Sequence, residues 1–231
     1  MRHIHHETFD QERALYGQRD IQVTDCSFDG PADGESAFKE GANIQALREC
    51  GQVTLRDCDI VSPEFGWSVH DITMDHCTAE SEYFMMRSTN LRFTDVTFRG
   101  KYSFQYIEDA IFDNCRFDTK DAFWHAKNVV VRNSVVKGEY LAWYCENVTF
   151  EHCTIIGTQP LCYCKGLKLV DCRMEDTDLA FEKSDVEATV LTPVVSIKNP
   201  RSGRIVVPSV GEIIRDDPES RGEILCSSDA Q

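Results

Sequence analysis

The feature that most constrains this 231-residue chain is a repeat of nineteen. Aligned on the tripeptide Cys-x-apolar, Cys58, Cys77, Val96, Cys115, Ser134, Cys153 and Cys172 follow one another at intervals of 19 without insertion. Leu191 and Val210 extend the count more weakly. Cys26 lies 32 residues upstream of Cys58 and marks an irregular first segment. A fixed period of this size is the signature of a solenoid, in which each turn stacks on the last and like residues fall on like.

Other columns keep the register. Five residues before the Cys slot stand Ile21, Val53, Ile72, Leu91, Ala110, Val129, Val148, Leu167 and Val186. Three before it stand Val23, Leu55, Met74, Phe93, Phe112, Val131, Phe150 and Leu169, and two after it Phe28, Ile60, Ala79, Phe98, Phe117, Val136, Ile155 and Met174. All face a core. Inward residues of a strand recur every second position, yet the step from the second of these columns to the Cys slot is three, so the chain bends there. The bend carries Asp25, Asp57, His76, Asp95, Asn114, Asn133, His152 and Asp171, short polar residues suited to turns.

A second corner, six before the Cys slot, holds Asp20, Gln52, Asp71, Asn90, Asp109, Asn128, Asn147, Gly166 and Asp185. These types tolerate a left-handed backbone. A third corner holds Gly30, Gly100, Gly138 and Gly157, with Ser62, Ser81, Thr119 and Asp176 in other coils. Three corners give three sides, and stacking at roughly 4.8 Å per coil gives a prism on the order of 45 Å long. Left-handed hexapeptide and pentapeptide solenoids have sub-periods that this chain lacks. The expected fold is an all-β, right-handed parallel β-helix, a three-sided solenoid of 19-residue coils in one domain over 1–231.

The ends depart from the pattern. The segment Glu7 to Gly17 has Thr8 as an N-cap candidate, apolar Phe9, Ala14 and Leu15, and a terminal Gly17, which predicts a short capping helix within an N-terminal cap at 1–18. Regular coils are expected over 19–190. Between Cys26 and Cys58 two half-matches, Phe38–Gly41 and Leu47–Cys50, sit nine residues apart, as if a coil had lost one side. Beyond Lys183 the pattern frays, and 191–231 is expected to form a C-terminal coil and cap, folding back along a side.

Composition narrows the function classes. The net charge of −15 and the absence of a Lys/Arg stripe argue against nucleic acid and anionic membrane as partners. No run of about 18 apolar residues is present to span a bilayer, and the start Met1-Arg2-His3-Ile4-His5-His6 lacks an apolar signal core. A cytoplasmic protein is expected. Its eleven cysteines then read as free thiols, mostly small core residues in one inward column. No metal or cofactor is expected; Cys162-Tyr163-Cys164 is the nearest approach to a ligand cluster.

The remaining side carries the functional hint. An inward column of Phe38, Leu47, Gly66, Met85, Phe104, Phe123, Ala142, Leu161 and Ala180 is followed by Lys39, Arg48, Trp67, Met86, Gln105, Trp124, Trp143, Cys162 and Phe181. Polar members place this second column outside. Beside it run Glu40, Glu49, Ser68, Arg87, Tyr106, His125, Tyr144, Tyr163 and Glu182. A lateral sheet face is thus expected to display Trp67, Trp124, Trp143, Tyr106, His125, Tyr144, Tyr163 and Glu182 as a ligand-binding surface. Aromatic rows suit sugar rings, and they equally suit a homo-oligomer contact or cover by the C-terminal segment. Catalysis would require outward carboxylates roughly 5–9.5 Å apart. His76 and His152 share a corner four coils apart, roughly 19 Å at the stacking rise, so they cannot act together. His125 is the one histidine on the aromatic side, and catalytic residues stay unknown.

The run Lys120 to Leu141, the following Ala142-Trp143-Tyr144-Cys145-Glu146-Asn147-Val148, Leu179-Ala180-Phe181-Glu182, and the opening Glu7-Thr8-Phe9 with Glu12-Arg13-Ala14-Leu15 resemble a bacterial family of unknown function with a pectate-lyase-like β-helix. The resemblance covers almost the whole chain, which is shorter near Phe38 to Leu47. It implies no activity. The wider superfamily suggests polysaccharide lyases and hydrolases by fold analogy only, and the chain lacks their Asn-Thr-Asp signature. Two readings follow: a non-catalytic binding or scaffold protein with an aromatic face for a glycan or a partner subunit, and a carbohydrate-active enzyme, lyase or glycoside hydrolase, using that same face.

Overall fold

The computed structural model describes residues 1–30 and 44–227; the half-match at Phe38–Gly41 lies outside them. The chain is an all-β parallel β-helix solenoid of about 11 turns, with no α-helix among the described residues. A main ladder runs from Arg2–His5 and Arg19–Thr24 through Gly51–Arg56, His70–Asp75, Thr89–Thr94, Glu108–Asp113, Lys127–Arg132 and Glu146–Glu151 to Leu167–Glu175, Asp185–Val190, Ser202–Val207 and Glu223–Cys226. Each strand pairs in parallel with the next. Shorter strands, among them Thr78–Ser81, Thr97–Gly100, Arg116–Asp118 and Val135–Lys137, form a second parallel ladder.

Register follows the repeat. Leu91 lies between Ile72 and Ala110, and Phe93 between Met74 and Phe112, each one period away. Because parallel neighbours match position for position, every apolar column becomes a continuous buried stack. Phe104 lies 4.8 Å from Phe112, 5.0 Å from both Phe117 and Phe123, and 5.4 Å from Phe84, centroid to centroid. These separations are those at which aromatic pairs attract beyond simple burial.

Both polar corners are left-handed bends. Asp20, Gln52, Asp71, Asn90, Asp109, Asn128, Asn147 and Gly166 have φ between 53° and 64°, and Asp25, Asp57, His76, Asp95, Asn114, Asn133, His152 and Asp171 between 48° and 54°. Asp185 is the exception to the first series; its carboxylate is held by Arg201 and Ser202. Four residues after the Cys slot the glycines serve close approach. A Cβ on Gly138 would lie 1.8 Å from the Thr119 carbonyl oxygen.

The cysteine column has a physical cause. The small inward residue after the left-handed bend donates to carbonyls beside it, with Val96 the apolar exception. Cys153 Sγ donates to Glu151 O and Val131 O, both at 3.3 Å, and Ser134 Oγ to Arg132 O at 2.6 Å. Thiol and hydroxyl therefore interchange. A second buried column does the same one side over: Cys50, Ser88, Cys145, Cys164 and Ser184, with Val69, Ile107 and Ala126 between. There Cys145 Sγ donates to Phe123 O at 2.8 Å and Ser88 Oγ to Gly66 O at 3.0 Å. Burial pushes the Cys115 thiol up to about 12 and that of Cys50 to about 11, so both remain donors.

Four expectations need correction. Glu7 to Gly17 is not a helix: Thr8–Phe9 is a strand, Phe9 stacks on Phe28 at 4.8 Å, and Leu47 N–H donates to Ala14 O at 2.9 Å. An isolated helix shorter than about 12 residues is marginal, whereas the same residues laid as a coil find partners for their backbone groups. Leu191 does not continue the Cys column; a register shift after Leu169 sets Val190 opposite Cys172 and leaves Leu191 exposed. The C-terminal segment does not fold back. Ser202–Val207 and Glu223–Cys226 add further coils to the main ladder.

The fourth correction concerns the aromatic side, which is mostly not a sheet. Among the described residues only Glu64–Phe65 and Tyr83–Phe84 pair there as strands, with Val194–Lys198 and Val210–Ile214 further on. Elsewhere every second residue is left-handed, as in Asp121, Phe123, His125 and Tyr140, Ala142, Tyr144, with φ of 53–61°. For residues other than Gly each such conformation costs roughly 1–2 kcal/mol. Burying Phe104 and Phe123 completely returns roughly 1.5–3 kcal/mol each. The backbone also grips both neighbours: Phe104 N–H donates to Phe84 O at 2.8 Å in the preceding coil, and Tyr106 N–H to Trp124 O at 2.8 Å in the following one.

Candidate functional site

On this turn-rich side the repeat builds a ladder of rings. Tyr106 and His125 stack at 4.8 Å with 9° between planes, His125 and Tyr144 at 5.1 Å and 10°, and Tyr144 and Tyr163 at 4.9 Å and 13°. All four residues are left-handed, with φ of 56–61°. The bend turns each side chain out of the coil while the next residue, Ile107, Ala126, Cys145 or Cys164, goes into the core.

Charge closes both ends. The Arg87 guanidinium lies 4.9 Å from the Tyr106 ring centroid, a cation–π contact. At the other end Tyr163 Oη donates to Glu182 Oε2 at 3.4 Å, and Glu182 pairs with Lys198 at 3.1 Å. Partial burial first, then the Glu182 charge, pushes the Tyr163 phenol up to about 12, so it remains a donor. The hydrogen bond to Glu182 raises Lys198.

Trp124 and Trp143 stand on neighbouring coils, 5.3 Å apart and within 3° of parallel. Each indole N–H is spent on a backbone carbonyl, Trp124 on Tyr140 O at 2.7 Å and Trp143 on Gln159 O at 2.8 Å. Gln105 occupies the same column and donates in the same way to Asp121 O at 2.7 Å. Gln105, Trp124 and Trp143 are thus tethers fixing the ladder beside them, whereas Met86, Cys162 and Phe181 of the same column, expected outside, are buried. Trp67 does not join them: Met86 and Gln105 intervene, and Trp67 packs against Arg48 and Tyr83 instead.

Stacking decides what the surface offers. Rings lying face to face along the shaft cover each other's faces and leave their edges to solvent. Tyr106 and Tyr144 are each 45 % exposed, and no described residue of the C-terminal segment covers them. A sugar ring packing on an aromatic face finds no free face in mid-ladder. On this side His125 and Glu182 are three coils apart, roughly 14 Å at 4.8 Å per coil.

A second cluster escaped sequence reasoning. At the corner between the two ladders, His76 Nδ1 is 2.7 Å from Asp75 Oδ1 and its Nε2 is 3.4 Å from Asp95 Oδ2, while Arg56 holds Asp75 at 3.1 Å. The hydrogen bond to Asp75, then the charges of Asp75, Asp95 and Asp57, raise the imidazole. The available signal was a histidine, one of two with His152, in a column otherwise of Asp and Asn. Along the same corner an open groove of about 370 Å³ is lined by Glu7, Asp25, Asp57 and Asp59.

A family profile described as "Protein of unknown function (DUF3737)" matches residues 2–48 and 43–225. No curated protein matches the chain. Among solved structures, the A-module of the Azotobacter vinelandii mannuronan C-5 epimerase AlgE4 is similar at 9% identity, over 93% of this chain and 76% of that one, with a TM-score of 0.32. QnrB1, a plasmid-mediated fluoroquinolone resistance protein, is similar at 14% identity, over 72% of this chain and 88% of that one, with a TM-score of 0.19.

Proposed function

The chain belongs to the DUF3737 family of proteins of unknown function, and from that premise we propose that it is a non-catalytic binding scaffold whose aromatic ladder is its docking edge. One observation carries this reading. Four rings held in register by strained, buried-anchored bends present their edges to water, and Tyr106 and Tyr144 are the most exposed aromatic side chains of that side. Exposed tyrosine edges fixed at low conformational cost are what protein contacts are enriched in. A partner subunit therefore fits better than a glycan, whose rings would need free faces. The proposal includes a cytosolic setting, where the stacked thiols stay reduced, and a right-handed, three-sided shaft, the hand nearly universal for parallel crossovers.

A second reading, a carbohydrate-active enzyme, draws its support from the Asp75–His76–Asp95 cluster and the carboxylate-lined groove rather than from the ladder. The two separate in one set of measurements. Wild type and Tyr106→Ala/Tyr144→Ala are compared by sizing and by thermal shift against a glycan panel, and wild type and His76→Asn by turnover of the same glycans. Association or a glycan shift lost in the tyrosine variant supports the scaffold. Turnover lost in His76→Asn would replace it with the enzyme.

A further inference from the structure

We propose that the occupant of the ladder is a second copy of this chain, lying antiparallel with its own ladder against the first. This rests on the docking reading above and identifies the partner. Charge complementarity along the ladder identifies that copy. The ladder begins at Arg87 and ends at Glu182, whose carboxylate is already paired with Lys198, so the flanking columns carry most of the charge match. A twofold axis crossing the shaft between His125 and Tyr144 brings Arg87 over the second copy's Glu182, Tyr106 over Tyr163, and His125 over Tyr144. Trp124 then meets Trp143.

The flanking columns obey the same centre. Two residues beyond the ladder stand Glu108, Lys127, Glu146 and Lys165, and five before it Lys120 and Glu139. Reversal about that axis sets Lys127 against the second copy's Glu146, Glu108 against Lys165, and Lys120 against Glu139. Lys127 and Glu146 already pair within one copy at 3.6 Å, and Lys120 and Glu139 at 3.1 Å. Dimerisation joins these pairs into four-charge networks, the arrangement in which surface ion pairs contribute most. A parallel pairing does the opposite. It sets Arg87 on Arg87, Lys127 on Lys120 and Glu146 on Glu139, and like charges in contact oppose association.

The patch is large enough. Six coils at about 4.8 Å, and a width of about 20 Å across the flanking columns, give on the order of 500 Å² per copy, at the low end for a specific interface. A reversible dimer is expected.

Sedimentation velocity across micromolar to millimolar concentration tests this with single charge reversals. Lys127→Glu alone, and Glu146→Lys alone, each place like charges together twice in the symmetric dimer and should weaken self-association about tenfold or more. Mixing the two variants should restore a mixed dimer, because each copy then meets its opposite. Intramolecular effects cannot produce that rescue, and melting curves of each variant verify that it is folded. Wild type monomeric at every concentration, or reversals without effect, or no rescue on mixing, overturns the second-copy assignment. If wild type is monomeric yet a glycan shift depends on Tyr106 and Tyr144, the docking reading stands and only its occupant changes. A dimer indifferent to Tyr106→Ala/Tyr144→Ala overturns both.

Discussion

The coils from Gly51 to Leu169 and those from Asp185 to Cys226 use the same backbone ladder in different ways. In the first stretch partners are always nineteen apart, as in Leu91, Ala110, Val129 and Val148. In the second, Val186 pairs with Gly203, 17 on, Val194 with Val210, 16 on, and Arg204 with Glu223, 19 on. The parallel hydrogen bonds survive both regimes. What varying length removes is the stacking of like on like: the C-terminal coils have no ring ladder and leave Leu191, Val195 and Ile213 exposed. Backbone pairing over a buried core that includes Val190, Ile197, Ile205 and Val207 sustains the fold at varying coil length, and constant coil length is what the aromatic edge requires.

The largest expected break of that contrast is in the central core. Phe104→Ala should cost about 3–5 kcal/mol, because the ring is fully buried among six other phenylalanines. Ile213→Ala, at a half-exposed position of the C-terminal coils, should cost under about 1 kcal/mol. Urea melts of the two variants measure the difference, and equal losses would contradict the division between the two stretches.

Next comes spacing. Gly138→Ala drives a methyl group into the Thr119 carbonyl and should cost about 1–3 kcal/mol, as overpacking does. It should also separate the Trp124 and Trp143 rungs, read as a change in tryptophan fluorescence and near-ultraviolet circular dichroism. An unchanged spectrum would show that the ladder tolerates a shifted coil.

Ser134→Ala is expected at about 1–3 kcal/mol, since it removes the acceptor of the Cys115 N–H, at 2.9 Å, as well as the donor to Arg132 O. Ser134→Cys should restore most of that loss by thermal melting, because thiols hold the same slot above and below. Failure of the rescue would refute the donor account of the column.

The smallest effect is pH-dependent. His76 is raised above its ordinary 6.5, so the stability it supplies is fully present below about pH 6.5 and is lost as pH rises through the folded value. The melting temperature of wild type should exceed that of His76→Asn in mildly acidic buffer, and the gap should close in alkaline buffer. A gap that widened with pH would refute the assignment.

Much of the central stretch was legible because residue type reports backbone shape there. Asp, Asn and His at the corners mark left-handed bends, and Cys or Ser after them marks the inward donor. Trp124 and Trp143 fell on neighbouring coils by counting alone. The turn-rich side was not legible in this way, since Phe123 and Leu161 adopt left-handed φ that their types disfavour and only surrounding packing enforces. The second donor column was hidden by Val69, Ile107 and Ala126. The edge-on display of the rings depends on side-chain rotation, which spacing does not encode. The N-terminal coil imitated a helix in composition, and the C-terminal coils lost their signal when their length varied.

The equal spacing of the central coils has one more consequence. Every residue there meets its counterpart one turn above and one below, so removing or copying one whole turn, such as residues 108–126, would bring matching surfaces together at the seam. The length of such a molecule is quantised: it can grow or shrink by cassettes without inventing a new interior, whereas a loss of any other number of residues would put every column beyond the join out of phase.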